Sequence, residues 1–461
     1  MPTTRLVFTS NNVLFPGSDS CKPGTIVVDK STGKIVEIRV THSSHADFPV
    51  IPDDSWIDAE DKWILPGLVD AHVHLNDPGR TDWEGFWTGT SAAAAGGVST
   101  IVDMPLNSSP PTTTKENLII KRNAARGQCW TDVAFWGGLI PGNELELGAM
   151  LEEGAKGFKC FMIDSGMDDF PNVTAGNIEK AMQELKDTGT VLLFHAELES
   201  EHAHAVAKPG SDPTRYETYL DSRPQKLETD AIDLVIGLQK KYPSVRCHIV
   251  HLSAASALPS IRAARAAGAQ LTVETCFHYL TLASSSIPDA APQYKCCPPI
   301  RDAANRDALW AALLDGTIDC VVSDHSPCIA ELKRLQDGNL MRAWGGINSL
   351  GLGLSLLWTE GKKRGVSIAQ IIQWTSAATA KLASLDNRKG AIKVGFDADL
   401  IIWDPDAKFK VTKDNMHFKN KLSPYEGVSV QGKVEKTFVR GHLSWDSNLK
   451  GQGLTPVGQS V

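Results

Sequence analysis

Two histidines one residue apart mark the place where this chain could do chemistry. In Gly67-Leu68-Val69-Asp70-Ala71-His72-Val73-His74-Leu75-Asn76-Asp77-Pro78-Gly79 an apolar run passes into a loop, with Val73 separating His72 from His74. A β-strand sends alternate side chains to one face, so the two imidazoles aim at a common point. Neutral imidazoles placed this way make half of a divalent-metal site. A pair of loop histidines at a strand end is the plainer alternative.

Further candidates arrive at the ends of similar runs. Lys159 lies inside Gly157-Phe158-Lys159-Cys160-Phe161-Met162, where an ammonium is costly unless paired or altered. After reaction with CO2 such an amine becomes an anionic carbamate able to bridge two cations; a snorkelling or salt-bridged lysine is the other reading. His195 closes Leu192-Leu193-Phe194-His195, and His251 closes His248-Ile249-Val250-His251. Either could be a hydrogen-bonded core residue, or both could be ligands. His248, three residues before His251, falls on the opposite face and reads as structural, while His202 and His204 read as solvated. Asp324 directly follows Cys320-Val321-Val322-Ser323, a position suited to a ligand or general base, or to a loop cap before Pro327. Together His72, His74, Lys159, His195, His251 and Asp324 would suit two divalent ions sharing a bridging hydroxide.

Something must hold these strand ends together. Apolar runs recur at 65–75, 99–104, 132–139, 157–163, 190–195, 245–252, 270–275 and 318–323, separated by helix-like stretches at 90–95, 117–126, 176–188, 226–241, 255–267 and 303–314. Eight strands interleaved with helices predict an α/β protein, a (β/α)8 TIM-type barrel, with a doubly wound open sheet as the alternative. The first 65 residues and the stretch from 386 onward read instead as short β segments with turns. They are expected to form one small β-sandwich domain from both chain termini (1–65 plus 386–461), with the barrel (66–385) inserted between them.

The 461 residues carry a formal net charge of −8 and no basic cluster, and 42% are hydrophobic. That is an ordinary globular composition, with nothing to attract nucleic acid. No apolar run is long enough for a membrane span, and Met1–Asn11 has no signal-peptide pattern. The final Gln459-Ser460-Val461 is not the peroxisomal tripeptide. Nine scattered cysteines do not suggest a disulfide framework, so the expected compartment is reducing, most simply the cytoplasm.

Read together, these motifs resemble the amidohydrolase superfamily and, within it, the cyclic amidohydrolases, most closely the allantoinase branch. The similarity extends over Asp70–Arg80, Asp103-Met104-Pro105-Leu106-Asn107, Lys159-Cys160-Phe161, Glu274–Leu280, Lys295–Arg301, Ser323–Cys328, Trp344–Gly351 and Gly390–Leu400. The resemblance implies that His72, His74 and Asp324 hold one ion and that His195 and His251 hold the other. A carbamate on Lys159 would bridge both. The ions would be Zn2+, with Mn2+ or Co2+ equally suited to the ligands. A bridging hydroxide would attack a ring amide, with Asp324 as general base and acid. Where dihydroorotate-acting relatives carry arginine, this chain has Asn76, which implies a neutral small-molecule substrate such as allantoin, converted to allantoate in purine catabolism. Asn107, Cys297 (serine in many relatives) and Asn348 are the other expected substrate contacts. A homotetramer or dimer is implied. A dihydropyrimidinase or hydantoinase is the alternative enzyme, and a non-catalytic scaffold, which would lack ligands, the alternative class. The segment Asp164–Asn172 could lie over the mouth, and Trp83 with Trp87 reads as helix packing.

Overall fold

The computed structural model describes residues 4–200 and 203–461, so His202 lies outside the described residues, whereas His204 is exposed. The first strands form one sheet. β1 (Arg5–Val13) pairs antiparallel with β2 (Lys22–Asp29), which pairs with β3 (Lys34–Arg39), while β4 (Trp56–Asp58) and β5 (Trp63–Pro66) run parallel to β1.

The middle of the chain alternates strand and helix. β6 (Leu68–Val73), β7 (Val98–Asp103) and β8 (Asp132–Phe135) form a parallel sheet. β9 (Gly137–Gly138), β10 (Phe158–Phe161), β11 (Val191–His195), β12 (Arg246–Ile249), β13 (Leu271–Cys276) and β14 (Cys320–Val322) form a second parallel sheet. β6, β7 and β11 are buried at every residue, which is why they read as near-continuous apolar runs: strands covered on both faces lose the polar alternation.

The two parallel sheets meet on both sides. At Trp136 the chain changes partner, its N–H donating to Asp103 O at 3.0 Å and the next N–H, of Gly137, to Gly157 O at 2.8 Å. On the far side His74 N donates to His325 O at 2.8 Å, and Ser323 N donates to Asp70 Oδ1 at 3.2 Å. Helices cross between strands, among them Lys226–Lys241, whose buried Leu227, Ala231, Ile232, Val235 and Leu238 make one apolar face. Helix Ala303–Leu314 starts at Asp302, whose carboxylate accepts the Asn305 N–H.

The chain then returns to its first sheet. β15 (Leu400–Lys410) pairs with β5, β16 (Ser429–Val439) with β15, and β17 (His442–Asp446) with β16. Although β5 and β15 lie between their strands, the rings of Phe8 and Phe438 are 4.8 Å apart. The sheet therefore curls around Leu6, Val13, Ile26, Ile64 and Ile402. Among the described residues, no helix is long and apolar enough to cross a membrane.

Candidate metal centre and substrate cavity

The candidate ligands other than Lys159, which is the second residue of β10, sit at or near the C-terminal end of a parallel strand, where α/β folds build their sites. His72 is on β6 and His74 one residue beyond it; Lys159 is on β10; His195 ends β11; His251 and Asp324 lie two residues past β12 and β14. All six line one cavity of about 270 Å3, shared with Asn107, Phe161, Arg223, Lys295, Cys297 and Trp344. Asp324 Oδ1 lies 3.2 Å from His72 Nε2 and 3.5 Å from His74 Nε2. The rings of His195 and His251 are 4.6 Å apart, and those of His72 and His251 5.4 Å.

Hydrogen bonds on the far sides of the rings decide which nitrogens are free. His72 Nδ1 is 2.5 Å from Glu274 Oε1. An ionised carboxylate only accepts, so Nδ1 carries the proton and Nε2 is left bare. Burial alone would raise the Glu274 pKa, but the His72 and His248 imidazoles hold it down to about 2. A bare Nε2 facing a carboxylate oxygen at 3.2 Å sets two lone pairs against each other, and a cation between them removes the conflict. His195 repeats the device: Nε2 is 2.8 Å from Glu197 Oε2, which also takes Arg223 Nη1 at 2.7 Å, leaving Nδ1 bare. Phe161 stacks on the same ring at 4.3 Å.

Lys159 and His251 supply the remaining observation. Both are buried, and neither Lys159 Nζ nor His251 Nδ1 has a hydrogen-bond partner among the described residues. Burial pushes the Lys159 pKa down to about 8, and burial with the Lys159 charge pushes His251 far below its ordinary value. Buried polar groups without partners are rare. Here they converge on one space, and His72, His74 and Asp324 offer donors within 4.8 Å of one another, a set that fits a divalent cation.

The backbone is strained around the same space. His251 (φ +39°), Asp324 (φ +43°), Asn76 (φ +60°) and Asn107 (φ +66°) all occupy the left-handed region, which costs a non-glycine residue of order 1 kcal/mol or more. Gly346 makes the facing wall possible, because a Cβ there would stand 2.2 Å from Ser326 O.

The expected substrate contacts divide into two groups. Asn107 and Cys297 line the cavity. Tyr219 O–H donates to Cys296 O at 2.7 Å and stands 3.1 Å from Cys297 Sγ, so the Cys297 thiol already has a partner. Asn76 and Asn348 are buried outside the lining, their amides donating to Pro327 O at 3.3 Å and Asn420 O at 2.6 Å. Asp164, Ser165 and Gly166 line the cavity, so the loop after β10 does reach it. Trp83 and Trp87 have separate partners: Trp83 packs edge-on against Trp344 at 5.0 Å, and Trp87 against Trp130 at 5.3 Å.

Three residues were not anticipated as parts of the site: Glu274, Glu197 and Arg223. Glu274 is a charge inside an apolar run, the same signal that singles out Lys159. Glu197 follows His195 at the two-residue spacing of a shared face. Arg223 lies between elements and carries no pattern. His248, expected on the face opposite His251, shares Glu274 with His72, at 3.1 Å from Glu274 Oε2. In keeping with that expectation His251 lines the cavity and His248 does not, and His251 reaches Glu274 only through its backbone N–H.

Comparison with known proteins agrees with this geometry. The family model "Amidohydrolase family" matches residues 63–444. The chain is 45% identical to the allantoinase of Saccharomyces cerevisiae over 98% of each chain. It is 54% identical to a mitochondrial allantoinase of Aquarana catesbeiana, over 73% of this chain and 69% of that one. Among solved structures, the L-hydantoinase (dihydropyrimidinase) of Arthrobacter aurescens superposes with a TM-score of 0.89 at 30% identity, covering 98% of this chain and 99% of that one. From its paired histidines to the return of its terminal sheet, the chain belongs to the amidohydrolase family.

Proposed function

We propose that the protein is a metal-dependent allantoinase, hydrolysing a ring amide of allantoin to give allantoate. The observation that carries the chemistry is the meeting of His72, His74, Lys159, His195, His251 and Asp324 in one cavity, with Lys159 Nζ buried and without a hydrogen-bond partner among the described residues. The choice of substrate is supported by the allantoinases to which the chain is similar along nearly its whole length. In this reading the parallel strands close as a (β/α)8 barrel over residues 66–385. The curled terminal sheet is a small β-sandwich domain of residues 1–65 plus 386–461.

His72, His74 and Asp324 would hold one ion, and His195 and His251 the other. Lys159 would bridge both as a carbamate, since an amine with a pKa near 8 keeps a neutral fraction able to react with CO2. The donors suit Zn2+, and also Mn2+ or Co2+; by family pattern the assembly is a homotetramer or dimer. When bound, the ions would acidify a water and polarise the scissile carbonyl. The chain's own residues do the rest. Asp324, a carboxylate facing His72 and His74, accepts the proton of the attacking water at a carboxylate oxygen and passes it to the ring nitrogen as the C–N bond breaks. Glu274 and Glu197 hold the imidazoles in the tautomers that leave their cavity-facing nitrogens bare. Asn107 serves a neutral, hydrogen-bonding substrate, Asn76 and Asn348 brace the backbone behind the lining through Pro327 O and Asn420 O, and Cys297 contributes through its backbone, because its thiol is engaged by Tyr219.

The fold likeness to a hydantoinase favours one second reading, a dihydropyrimidinase or hydantoinase. Ring opening of allantoin, dihydrouracil, hydantoin and dihydroorotate, each before and after chelator treatment, separates the two. Chelator-sensitive turnover of allantoin and not of dihydrouracil is expected. The reverse preference would leave the site in place and change the substrate.

A further inference from the structure

Behind the cavity wall a chain of hydrogen bonds leads away from the ligands toward the other end of the parallel strands. His72 Nδ1 lies 2.5 Å from Glu274 Oε1, Glu274 Oε2 3.1 Å from His248 Nε2, and His248 Nδ1 2.8 Å from Thr272 Oγ1. Glu274 Oε1 also accepts the backbone N–H of His251 at 3.2 Å, at the residue whose φ is +39°. One buried carboxylate therefore touches a ligand of each proposed ion.

The polarity of this chain follows from its members. Glu274 is a carboxylate and only accepts, so both His72 Nδ1 and His248 Nε2 donate to it. A neutral His248 then has a bare Nδ1, and the Thr272 hydroxyl donates there. The Thr272 hydroxyl has a second, longer acceptor in Cys247 O at 3.4 Å, and the last bare nitrogen in the chain is His72 Nε2, facing Asp324. Removing His248 would leave Glu274 Oε2 buried with no donor among the described residues. The carboxylate could then rotate away from both His72 and His251.

The far end of the chain borders a second cavity. His248 and Thr272 line this cavity, of about 750 Å3, at the N-terminal side of β12–β14, together with Arg246, Gln270, Asp319 and Lys381. His248 itself is 0% exposed within that lining, so removing its side chain would leave a space that borders the second cavity and not the substrate cavity.

We propose that His248 is a positioning residue for the metal centre. Acting through Glu274, it fixes the tautomer of His72 and the turn at His251, and so tightens the hold on both ions. The proposal rests on the two-ion reading above.

The test measures metal affinity directly, by competition against a chelating dye, in the full-length parent and in His248→Ala, His248→Gln and Thr272→Val. Thermal midpoints of the metal-free forms report folding. Replacing residues that orient metal ligands typically costs 10- to 100-fold in affinity, so a loss of roughly that size is expected for His248→Ala. His248→Gln keeps an N–H for Glu274 and should lose less. Added imidazole, entering by the second cavity, should restore affinity to His248→Ala. At saturating metal kcat should recover, with KM unchanged throughout. His248→Ala binding both ions as tightly as the parent overturns the proposal. So does a loss that imidazole does not reverse and glutamine does not soften, which would make His248 a packing residue. If His248→Ala does not fold, the glutamine and Thr272→Val variants decide by the same affinity measurement, and parent-like affinity in both overturns it. A parent that binds no metal at all would instead remove the two-ion reading, a distinguishable result.

Discussion

Lys389 Nζ stands 2.6 Å from Asp132 Oδ2, joining residues 257 positions apart in the chain. The same ammonium lies 2.9 Å from Asp397 and 2.7 Å from Asp399, and the other oxygen of Asp132 takes the guanidinium of Arg440. Asp132 begins β8 and Asp399 immediately precedes β15, so this buried knot ties the parallel strands to the returning terminal sheet. Lys389→Met should leave three carboxylates facing one another. Removing one partner of a buried ion pair costs roughly 3–5 kcal/mol, and urea unfolding should read a loss of that size. A loss below about 1 kcal/mol would mean that water reaches the knot readily.

The knot also gives a pH dependence with a definite sign. Burial works to raise the Asp397 pKa, yet Lys389 and Lys34 hold it at about 2. A depressed carboxylate pKa adds stability that is complete above the ordinary value, near ~3.9, and lost as pH falls through the folded value. The stability from Asp397 should therefore fade between about pH 4 and about pH 2. A tenfold change in proton affinity is worth about 1.4 kcal/mol, which sets the scale of the loss. Asp399, raised by burial, takes its proton earlier and does not add to this fall. Thermal midpoints measured across the window should decline less steeply in Asp397→Asn than in the parent.

Asp324→Asn should separate chemistry from folding. The asparagine has the same shape and tolerates the left-handed backbone (φ +43° here) at least as well as aspartate. It cannot accept the proton, and loss of a general base costs roughly 10^2- to 10^4-fold. We expect kcat to fall by at least that much while the metal-free thermal midpoint holds or rises. A midpoint that falls by several degrees would make Asp324 a structural anchor.

Lys159→Met should act in opposite directions on stability and function. A buried ammonium with no hydrogen-bond partner among the described residues, facing only the Phe161 ring at 5.1 Å, opposes folding, so the metal-free variant should be at least as stable as the metal-free parent. Ring-opening activity should be lost, and metal should bind with lower affinity. Carbon-13 labelling with bicarbonate should give a carbamate signal in the parent and none in the variant. A signal retained in the variant would place the carbamate on another lysine.

Stripping the metal should lower the melting temperature as well as abolish turnover. A ligand present at 100 times its Kd stabilises the state that binds it by about 2.7 kcal/mol. The melting temperature should therefore rise with the logarithm of added metal and fall back in excess chelator. Scanning calorimetry at several zinc concentrations checks this.

Where a side chain stood out against its own neighbourhood, the sequence was legible. His72 and His74 showed through strand alternation, Lys159 through charge in an apolar run, and Asp324 through its place after a buried strand. Helices Lys226–Lys241 and Ala303–Leu314 match their expected bounds because each has an apolar face and a polar one. Helix Gly353–Lys362 was missed because Gly353 through Trp358 are all buried, which erases the 3.6-residue period. Glu274 carried a signal, yet its role depends on His72, 202 residues away. The turn at His251, which brings His248 and His251 to the same carboxylate, is a tertiary constraint that no local pattern announces.

The order of strands in the terminal sheet bears on how the chain must be made. β5 lies between β1 and β15, so residues 63–66 are synthesised more than three hundred positions before the strand that covers their open edge. During translation the first sheet fragment would present an unpaired edge and the apolar face of Phe8, Ile26 and Ile64 until β15 and β16 leave the ribosome. The protein thus behaves in synthesis as one long closing loop, whose N-terminal strands stay exposed to other chains until its last strands are complete.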